Sequence, residues 1–452
     1  MKRFGIVLGA GMGTRMKSAT PKVLHQVMGK AMIEHVVDAL EKASVERTVV
    51  VTGHKAEMVQ ACLGDRVEYS LQTEQLGTAH AVMMAETLLA SQSGITMVTY
   101  GDDPLLTAET LEELFTTHET SGASMTLLTN VVDTPFGLGR IIRDTGGNVA
   151  RIVEQKDANP EELAVTEINT GVACYDNEVL FAALKLVGNN NAQGEYYLTD
   201  LVEIIKGMGH KVESVVKENP DGALGVNDRV QLANNGRIMR ERINKKHMEN
   251  GVTLVDPLTT YIEPNVLIGN DVIIEPNVHL KGKTVIEAGV FVGTGSHLEN
   301  AYIGMGTQIL ASYISDSEIG ADATVGPFAH IRLETKVGFK SRIGNFVEIK
   351  KTTLGEGVKA AHLSYMGDAE IGDRANMSCG AITANYDGKN KHKTVIGADA
   401  MIGSNVNLIA PVTVGAGAYI AAGSTVNKDV PADALAIARV KQENKEGYAK
   451  KL

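Results

Sequence analysis

Ile268-Gly269-Asn270-Asp271-Val272 is one of several segments in the second half of the chain that share a pattern. In each, an aliphatic residue is followed by glycine or a small polar residue, then by two variable positions and a small residue. The pattern recurs in a six-residue rhythm at Ile286–Val290, Ile319–Ala323, Val337–Ser341, Ile371–Ala375 and Val414–Ala418. A hexapeptide repeat is typical of a parallel β-helix, in which the aliphatic residue of each coil packs on that of the next. The second half is therefore predicted to be a solenoid.

The repeat runs from about residue 253 to about residue 426, which corresponds to roughly ten coils of 18 residues. Because neighbouring strands lie about 4.8 Å apart, we expect a solenoid about 45–50 Å long. One polar segment, Asn385–Lys393, breaks the repeat and carries three lysines. Loops that leave a regular solenoid often carry function, so this segment is predicted to belong to a site.

The first half of the chain, up to residue 226, shows a different pattern, in which short apolar runs alternate with helix-like segments. Phe4–Leu8, Thr48–Thr52 and Ile95–Tyr100 are predicted to be buried strands, and Ala79–Leu89 is predicted to be helical. This alternation predicts a Rossmann-like α/β domain, with a mostly parallel sheet and helices on both faces. Ligands of such sheets bind at the carboxyl ends of the strands.

Residues 227–251 connect the two halves. Apolar residues among many charges, without proline, predict a linking helix that ends near Asn250-Gly251. The predicted domains are therefore an α/β domain at 1–226, the linking helix at 227–251, and the solenoid with a charged C-terminal tail at 252–452.

Composition restricts the class of protein. The 452 residues are 44% hydrophobic and 21% charged, and no apolar run approaches the roughly 20 residues needed to span a bilayer. The formal net charge of −11 argues against a nucleic-acid backbone as partner. Three scattered cysteines, Cys62, Cys174 and Cys379, fit a reducing compartment better than a disulfide scaffold. We therefore expect a cytoplasmic protein that acts on small molecules, without a membrane or nucleic-acid partner.

A glycine-rich loop, Leu8-Gly9-Ala10-Gly11-Met12-Gly13-Thr14-Arg15, follows the first predicted strand. Glycines let backbone N–H groups approach phosphate oxygens, and Arg15 adds positive charge. The third glycine falls one position too early for the dinucleotide-binding fingerprint, and the loop does not match a P-loop either. Taken alone, it could be a tight turn beside a solvated Arg15 and Lys22.

Together with Pro21-Lys22, this loop resembles the start of the sugar-nucleotidyltransferase family. That family usually has alanine at the position of Gly9 and lysine at that of Met12, so one charge near the triphosphate is missing here. The segment Gln72–Ala81 resembles the family's uracil-recognising segment, in which an amide such as Gln72 can pair with the base and Gly77 permits its close approach.

Asp102 follows a buried apolar strand, where a carboxylate is costly unless it meets a cation. It could instead be a helix N-cap or a turn residue. The resemblance implies that Asp102 and Asn227 bind Mg²⁺, which prefers oxygen ligands and keeps several waters. Asp103 departs from the family pattern, and its extra carboxylate would either perturb the metal site or face solvent.

A second group of reactive residues lies in the solenoid. Arg332 and Lys350 are separated by one full coil of the repeat, so they are predicted to stack and to bind a phosphate monoester. His362 could accept the proton of an attacking amine, a contribution of roughly 10²–10⁴-fold. Taken alone, it would more often be an exposed or stacked solenoid side chain.

The chain as a whole resembles the bacterial bifunctional GlmU family, which pairs an N-acetylglucosamine-1-phosphate uridyltransferase with a glucosamine-1-phosphate acetyltransferase. The resemblance implies a left-handed β-helix, a homotrimer, Mg²⁺ as cofactor, UTP and acetyl-CoA as co-substrates, and catalytic roles for His362, Arg15 and Lys22. It assigns UTP and UDP-N-acetylglucosamine to Leu8, Gly9, Ala10, Gly11, Lys22, Gln72, Gly77, Thr78, Tyr100, Gly101, Asp102, Gly139, Glu154, Asn169 and Asn227. It assigns glucosamine 1-phosphate to Arg332, Lys350, Tyr365, Asn376 and Lys391, and acetyl-CoA to Cys379, Asn385, Tyr386, Ser404, Ala422 and Arg439.

The solenoid also departs from the family. Leu333-Glu334 replace Pro-Gly after Arg332, which would bring a carboxylate close to the phosphate site, and Met377–Ala381 replace a glycine- and isoleucine-rich stretch. Cys379 is expected to be a small wall residue rather than a covalent catalyst. Two alternatives to a bifunctional enzyme remain: a single-activity nucleotidyltransferase whose solenoid serves only assembly, and a non-catalytic sugar-nucleotide sensor.

Overall fold

The computed structural model describes residues 1–218 and 225–451, and it divides into two compact units, Met1–Met239 and Arg240–Leu452. The first unit is built on a mostly parallel sheet, which confirms the predicted α/β class. Seven strands follow one another across this sheet in the order Val212–Lys217, Met125–Val131, Glu167–Asp176, Ile95–Tyr100, Arg3–Leu8, Arg47–Thr52 and Glu68–Leu71.

Two features depart from a purely parallel arrangement. Glu167–Asp176 runs antiparallel to both of its neighbours in the sheet. Arg140–Arg143 and Val149–Val153 form an antiparallel pair that joins this strand through Arg140 and Ile168. A separate two-stranded sheet of Gln26–Val27 and Lys30–Ala31 follows the glycine-rich loop.

Helices cover both faces of the sheet. Successive residues of a strand point to opposite faces, so Ile6 belongs to one buried cluster and Val7 to another. Burial on both faces explains why these strands are apolar throughout instead of alternating with polar residues. The α-helices before residue 218 are Met32–Lys42, Ala56–Leu63, Thr78–Met83, Glu86–Leu89, Ala108–Ser121, Pro160–Leu163, Asn177–Leu184 and Leu201–Gly207.

The single helix predicted over Ala79–Leu89 is wrong in one respect, because the structure contains two helices there, Thr78–Met83 and Glu86–Leu89. The N–H of Ala85 donates to the carbonyl of Val82, three residues back, instead of continuing the α-helical pattern. Such tighter bonds interrupt an α-helix without removing its apolar face, so periodicity alone did not reveal the break.

A 21-residue helix, Arg229–Glu249, contains the sequence boundary between the two units. Gly251 follows it with φ 88°, a left-handed conformation that is common just after a helix.

The second unit is a parallel β-helix with three walls. The first wall contains Thr253–Leu254, Ile273–Ile274, Phe291–Val292, Gln308–Ile309, Thr324–Val325, Asn376–Met377, Met401–Ile402, Tyr419–Ile420 and Leu435–Ala436. The second contains Tyr261–Ile262, His279–Lys281, His297–Glu299, Tyr313–Ser315, His330–Arg332, Ile382–Ala384, Asn407–Ile409 and Thr425–Val426. The third contains Leu267–Ile268, Val285–Ile286, Tyr302–Ile303, Glu318–Ile319, Lys336–Val337, Thr353–Leu354, Ala369–Ile371, Thr394–Ile396 and Val412–Val414. Arg342–Lys350 and Lys359–Gly367 each run through the first and second walls.

The coils are less uniform than a fixed period predicts. His279 pairs with His297 and His297 pairs with Tyr313, and the second of these steps uses less chain than the first. The step from Ile382 to its partner Asn407 uses much more chain, because the segment Asn385–Lys393 is extruded between them. The inward-facing aliphatic residues nevertheless form one continuous buried core along the solenoid.

The solenoid also extends beyond the predicted end at about residue 426. Leu435–Ala436 pairs in parallel with Tyr419–Ile420, which adds strand pairing after the last repeat that the pattern revealed. This closing segment lacks the aliphatic–glycine signature, so the repeat did not identify it. In the described parts of both units, no helix has the length and apolar character needed to cross a membrane.

Candidate functional site

The glycine-rich loop forms one side of a cavity of about 230 Å³ at the carboxyl ends of Arg3–Leu8 and Ile95–Tyr100, and we call it the first cavity. Most of the residues predicted to contact the nucleotide line it, namely Leu8, Gly9, Ala10, Gly11, Lys22, Gln72, Gly77, Thr78, Tyr100 and Asp102. Gly101 has a different role, because a Cβ there would lie 3.2 Å from side-chain atoms of Ile33 and Val23. This glycine allows close packing behind the cavity.

Two glycines of the loop are constrained differently. Gly13 has φ 61°, and a Cβ on it would lie 2.6 Å from the Cβ of Lys22, so a larger residue would displace that lysine. A Cβ on Gly11 would have no atom within 4 Å among the residues that the structure describes. Gly11 therefore leaves open space where a ligand can approach the backbone.

Positive side chains converge on two oxygen ligands beside this loop. Lys22 forms an ion pair with Asp102, whose side chain is only 10% exposed, and its Nζ donates to Oδ1 of Asn227 at 3.3 Å. Nη2 of Arg15 donates to the same Asn227 oxygen at 2.8 Å. The oxygens of Asp102 and Asn227 thus already share one cation, the Lys22 ammonium.

This donor set fits Mg²⁺. A carboxylate and an amide oxygen are hard ligands, and the remaining positions of the ion would be left to phosphate oxygens and water. Among the described residues, no three His, Cys, Asp or Glu side chains are grouped to hold a metal, so the fit is to an ion shared with substrate and not to an all-protein cage. Asp103 is only 3% exposed, so the interpretation that it faces solvent is wrong.

A second cavity, of about 360 Å³, adjoins the first and shares Lys22, Tyr100 and Asp102 with it. It is also lined by Gly139, Glu154, Asn169, Asn227 and Asp103. The backbone N–H of Gly171 donates to Oδ1 of Asn169 at 3.0 Å, and a Cβ on Gly139 would lie 3.6 Å from the carboxylate oxygens of Glu154.

Glu154 is one of several titratable groups that line this second cavity. Burial raises its pKa, and the nearby carboxylates of Asp157 and Asp200 raise it further. Thr199 donates a hydrogen bond to Glu154 at 3.3 Å. A negative charge is therefore disfavoured at Glu154 itself.

A cationic cluster lies where the second wall of the solenoid ends. Arg332 and Lys350 are in register on neighbouring strands. A hydrogen bond with Lys391, slight burial and the charge of that ammonium lower the pKa of Lys350. Tyr365 and Asp368 also act on Lys391, so these side chains share one surface. Adjacent cations without full compensation favour a dianionic ligand such as a phosphate monoester.

The carboxylate that contacts Arg332 is Glu348 and not the predicted Glu334. Nη2 of Arg332 donates to Oε1 of Glu348 at 2.6 Å. Glu334 instead lines a groove with Asp316, Glu318 and Lys336 on the third wall. The chain turns after Arg332 with φ 54° and 57° at the next two residues, which directs Glu334 to that wall.

The extruded loop is a small, tightly bonded hairpin. Tyr386 and Lys391 form an antiparallel bridge. The Asp387 carboxylate accepts hydrogen bonds from the backbone N–H groups of Asn390 and Lys389, at 2.6 and 2.8 Å, and its other oxygen contacts His392 at 2.7 Å. The hydrogen bond from Asn390, followed by those from His392 and Lys389, lowers the pKa of Asp387 to about 2. Asn385 donates to Asp368, so the loop is fixed at its base and brings Lys391 to Lys350.

The predicted acetyl-CoA residues Cys379, Ser404, Ala422 and Arg439 follow His362 along one corner of the solenoid, between the first and second walls. The N–H of Gly380 donates to Leu363, that of Asn405 to Cys379, and that of Gly423 to Ser404, so successive corners stack. The N–H of Thr425 donates to the carbonyl of Ala438, and Arg439 follows directly after that residue. We call this set the corner column.

Within one chain the structure does not bring all the predicted residues of the solenoid site together. His362 pairs with Asn345, five residues before Lys350 on the adjacent strand, so up to roughly 17 Å of chain separates the two positions. Asn376 lies on the first wall, in register with Lys359, and its amide donates to Ser378 at 3.0 Å. The cationic cluster and the corner column border opposite ends of the same wall.

Two residues with direct contacts to the sites were missed in the sequence. Glu348 stands two positions before Lys350, and strand periodicity would have placed it on the same face. His80 contacts the buried Gln72 at 3.0 Å, but no pattern in the sequence indicates which side chain meets that amide.

Comparisons with known proteins give matches in both halves of the chain. Residues 4–220 match the nucleotidyl transferase family model, residues 393–428 match the bacterial transferase hexapeptide (six repeats) model, and residues 260–294 match the hexapeptide repeat of succinyl-transferase. The chain is 55% identical to a "Bifunctional protein GlmU" of an Exiguobacterium species (strain AT1b), covering 100% of both chains. It is 55% identical to that of a Geobacillus species (strain WCH70), covering 100% of this chain and 98% of the relative, and 54% identical to that of Bacillus subtilis, covering 100% and 99%.

Proposed function

The chain belongs to the GlmU family, and from that premise we propose how its residues divide two reactions. It is a bifunctional enzyme that makes UDP-N-acetylglucosamine, a precursor of cell-wall polymers. It acetylates glucosamine 1-phosphate with acetyl-CoA and then transfers UMP from UTP to the N-acetylated product, releasing pyrophosphate. The observation that carries the assignment of residues is the presence of a separate polar site in each compact unit.

Uridylyl transfer is assigned to the two adjoining cavities of the first unit. UTP takes the first cavity, with its phosphates on the loop amides, Arg15 and Lys22, and the acetylated sugar takes the second. The phosphate oxygen of the sugar attacks the α-phosphorus of UTP, and pyrophosphate leaves on the opposite side. No covalent intermediate with the protein is needed, so the residues contribute alignment and charge neutralisation.

Mg²⁺ would be held by Asp102 and Asn227, and it would supply a positive charge for the phosphate oxygens. Burial of Asp102 keeps its carboxylate in one place, and Lys22 and Arg15 hold the Asn227 oxygen beside it. Lys22 would then serve both the metal ligands and the phosphates, which makes it the central positive group of the site.

Acetyl transfer is assigned to the solenoid. Arg332, Lys350, Lys391 and Tyr365 bind the phosphate end of the sugar, and the predicted Asn376 completes the pocket. The amine attacks the thioester carbonyl, His362 accepts the amine proton, and CoA leaves as the thiol. A backbone N–H near Cys379 would stabilise the oxyanion, with acetyl-CoA extended along the corner column and beside Asn385 and Tyr386.

A trimer explains how a divided site could work. In one chain, His362 and Asn376 lie away from the cationic cluster. If neighbouring solenoids pack side by side, the corner column of one faces the cationic cluster of the next. We accordingly propose a cytoplasmic homotrimer, with residues 1–226 as the uridyltransferase, 227–251 as the linking helix and 252–452 as the acetyltransferase and its tail.

The experiment that tests this proposal follows two products separately. The full chain is given glucosamine 1-phosphate, acetyl-CoA, UTP and Mg²⁺, and thiol and pyrophosphate release are both recorded. The wild type should release both, whereas His362→Ala should lose roughly 10²–10⁴-fold in thiol release. That variant should still release pyrophosphate from added N-acetylglucosamine 1-phosphate. If the wild type releases pyrophosphate from added N-acetylglucosamine 1-phosphate but no thiol from glucosamine 1-phosphate and acetyl-CoA, the single-activity alternative is favoured, and release of neither product would favour a sensor.

A further inference from the structure

The buried amide of Gln72 faces two acceptors of the protein itself. Gln72 follows the strand Glu68–Leu71, is 3% exposed, and lines the first cavity. Its Nε2 donates to the carbonyl of Gly77 at 3.3 Å and contacts Nδ1 of His80 at 3.0 Å. His80 lies on the helix Thr78–Met83, one turn from the loop that contains Gly77.

These contacts determine which end of the amide faces the cavity. A backbone carbonyl can only accept, so the Gln72 atom beside Gly77 must be the nitrogen. With both hydrogens of Nε2 directed to Gly77 and His80, the oxygen Oε1 remains for a ligand. His80 must accept at Nδ1, which requires the neutral imidazole with its proton on Nε2.

The backbone on either side of Gly77, which leads into the helix of His80, is held by Tyr196. The N–H of Tyr196 donates to Leu76 at 2.8 Å, and the N–H of Ala79 donates to Tyr196 at 2.9 Å. Gly77 has φ 117°, and a Cβ there would lie 2.5 Å from the Tyr196 carbonyl. On its other side, His80 lines a further cavity of about 590 Å³ with Leu76, Met83 and Tyr196. The backbone that carries His80 is therefore held against Tyr196, and the contact with Gln72 is what orients the imidazole.

We propose that His80 is a positioning residue that sets the enzyme's preference for uracil over cytosine. The inference rests on the proposed function, in which Gln72 contacts the base. Uracil carries a proton on N3 and can donate to Oε1 of Gln72, whereas N3 of cytosine has a lone pair and meets that oxygen unfavourably. If the amide turned over, it would present Nε2 and accept cytosine. Two hydrogen-bond acceptors, Gly77 and His80, prevent this rotation, and the contact with His80 is the shorter one.

The test compares kcat/KM for UTP and CTP in the full-length protein with saturating N-acetylglucosamine 1-phosphate. His80→Leu removes the acceptor, and we expect the UTP/CTP ratio to fall roughly tenfold or more, the value of about one hydrogen bond. His80→Asn places an amide oxygen at the position of Nδ1 and should keep the ratio. His80→Gln places its amide near the position of Nε2 and should lose it. If His80 had a purely structural role, its substitution would lower kcat/KM for UTP and for CTP by the same factor and leave their ratio unchanged.

The outcomes separate this inference from the proposed function. If the wild type uses UTP and CTP equally well, the assignment of Gln72 to uracil fails. If the wild type prefers UTP and His80→Leu retains that preference, the role of His80 fails while the function stands. If His80→Leu does not fold, as judged by circular dichroism, the comparison of His80→Asn with His80→Gln decides. Equal ratios in those two variants would overturn the inference.

Discussion

Lys22 connects the two metal-ligand candidates of the uridyltransferase site. It pairs with the nearly buried Asp102 and donates to Asn227, and Arg15 donates to the same amide oxygen. Removing one oxygen ligand therefore affects the metal and also leaves a partly buried ammonium without its carboxylate.

Asp102→Asn should lower uridylyl transfer by roughly 100-fold or more, because the site loses the charge that balances Mg²⁺ and Lys22. The activity should also require more Mg²⁺. Pyrophosphate release, measured over a range of Mg²⁺ concentrations, checks both effects. Acetylation should be unchanged, and Asp65→Asn, which alters an exposed carboxylate outside the cavity lining, serves as the matched control. Equal pyrophosphate release by Asp102→Asn and wild type would contradict the assignment.

At this scale the sequence predicts charged residues better than their contacts. A carboxylate at the end of a buried strand requires a cation, so Asp102 could be singled out without a structure. The contact of His80 with Gln72 depends on how a helix meets a strand end, and the pairing of Arg332 with Glu348 depends on strand register. Neither follows from composition or motif spacing.

One wall of the solenoid carries a stack of rings. Tyr261 stacks on His279 with centroids 4.9 Å apart, His279 on His297 at 5.9 Å, and His297 on Tyr313 at 4.4 Å. Burial lowers the pKa of His279, and the charges of His297 and Lys281 lower it further. Burial and Lys281 also lower the pKa of His297, although Glu299 and Glu263 oppose this change. The folded solenoid therefore prefers both imidazoles neutral.

This preference makes the stability of the solenoid dependent on pH. Above the ordinary histidine pKa of about 6.5, both folded and unfolded chains hold these imidazoles neutral, and the free energy of unfolding is unaffected. As the pH falls below that value, the unfolded chain takes up protons first, so the free energy of unfolding decreases. The double substitution His279→Phe with His297→Phe keeps rings but removes the titration, and it should reduce the loss of stability between about pH 7.5 and about pH 5.5.

Denaturant midpoints of wild type and double variant at the two pH values test this. Other histidines with lowered pKa, such as His35 and His118, are present in both proteins, so only the difference between the proteins is informative. If the denaturant midpoint changed with pH by the same amount in the wild type and the double variant, the proposed role of His279 and His297 would be contradicted. The repeat predicted that such residues stack, but the unequal lengths of the coils show why exact partners could not be counted from a fixed period.

For the molecule as a whole, the sequence distinguishes an α/β half from a solenoid half because their apolar periods differ. The two compact units and the family matches likewise separate a nucleotidyl transferase part from a hexapeptide part. The composition of one complete acetyltransferase site was not predictable. The hexapeptide period reports which residues follow one another along the axis, but it does not report which walls meet a second copy. Hence His362 and Lys350 were expected together and lie at opposite ends of one wall.

A mixing experiment tests whether neighbouring copies complete the site. His362→Ala and Lys350→Ala should each lack acetylation alone. Co-expressed in equal amounts, they should recover about a quarter of the wild-type activity, because random assembly places intact groups from two chains at about one site in four. Thiol release by the purified mixture is the measurement. As a control, the double variant His362→Ala with Lys350→Ala, mixed with either single variant, should recover no acetylation. If the two single variants also recover no acetylation when co-expressed, each chain forms its own site.

If acetyl-CoA extends along the corner column as proposed, the column also sets a distance for the donor. Four coil steps separate His362 from Arg439, and at about 4.8 Å for each step they mark off roughly 19 Å along the axis. An acyl donor bound at the Arg439 end would thus place its reactive carbon at a fixed position along the solenoid axis. Deleting one whole coil between His362 and Arg439 would leave the stacking intact but shorten the distance between them along the axis by about 4.8 Å. The carrier would then overshoot the imidazole, and the enzyme would favour a correspondingly shorter donor.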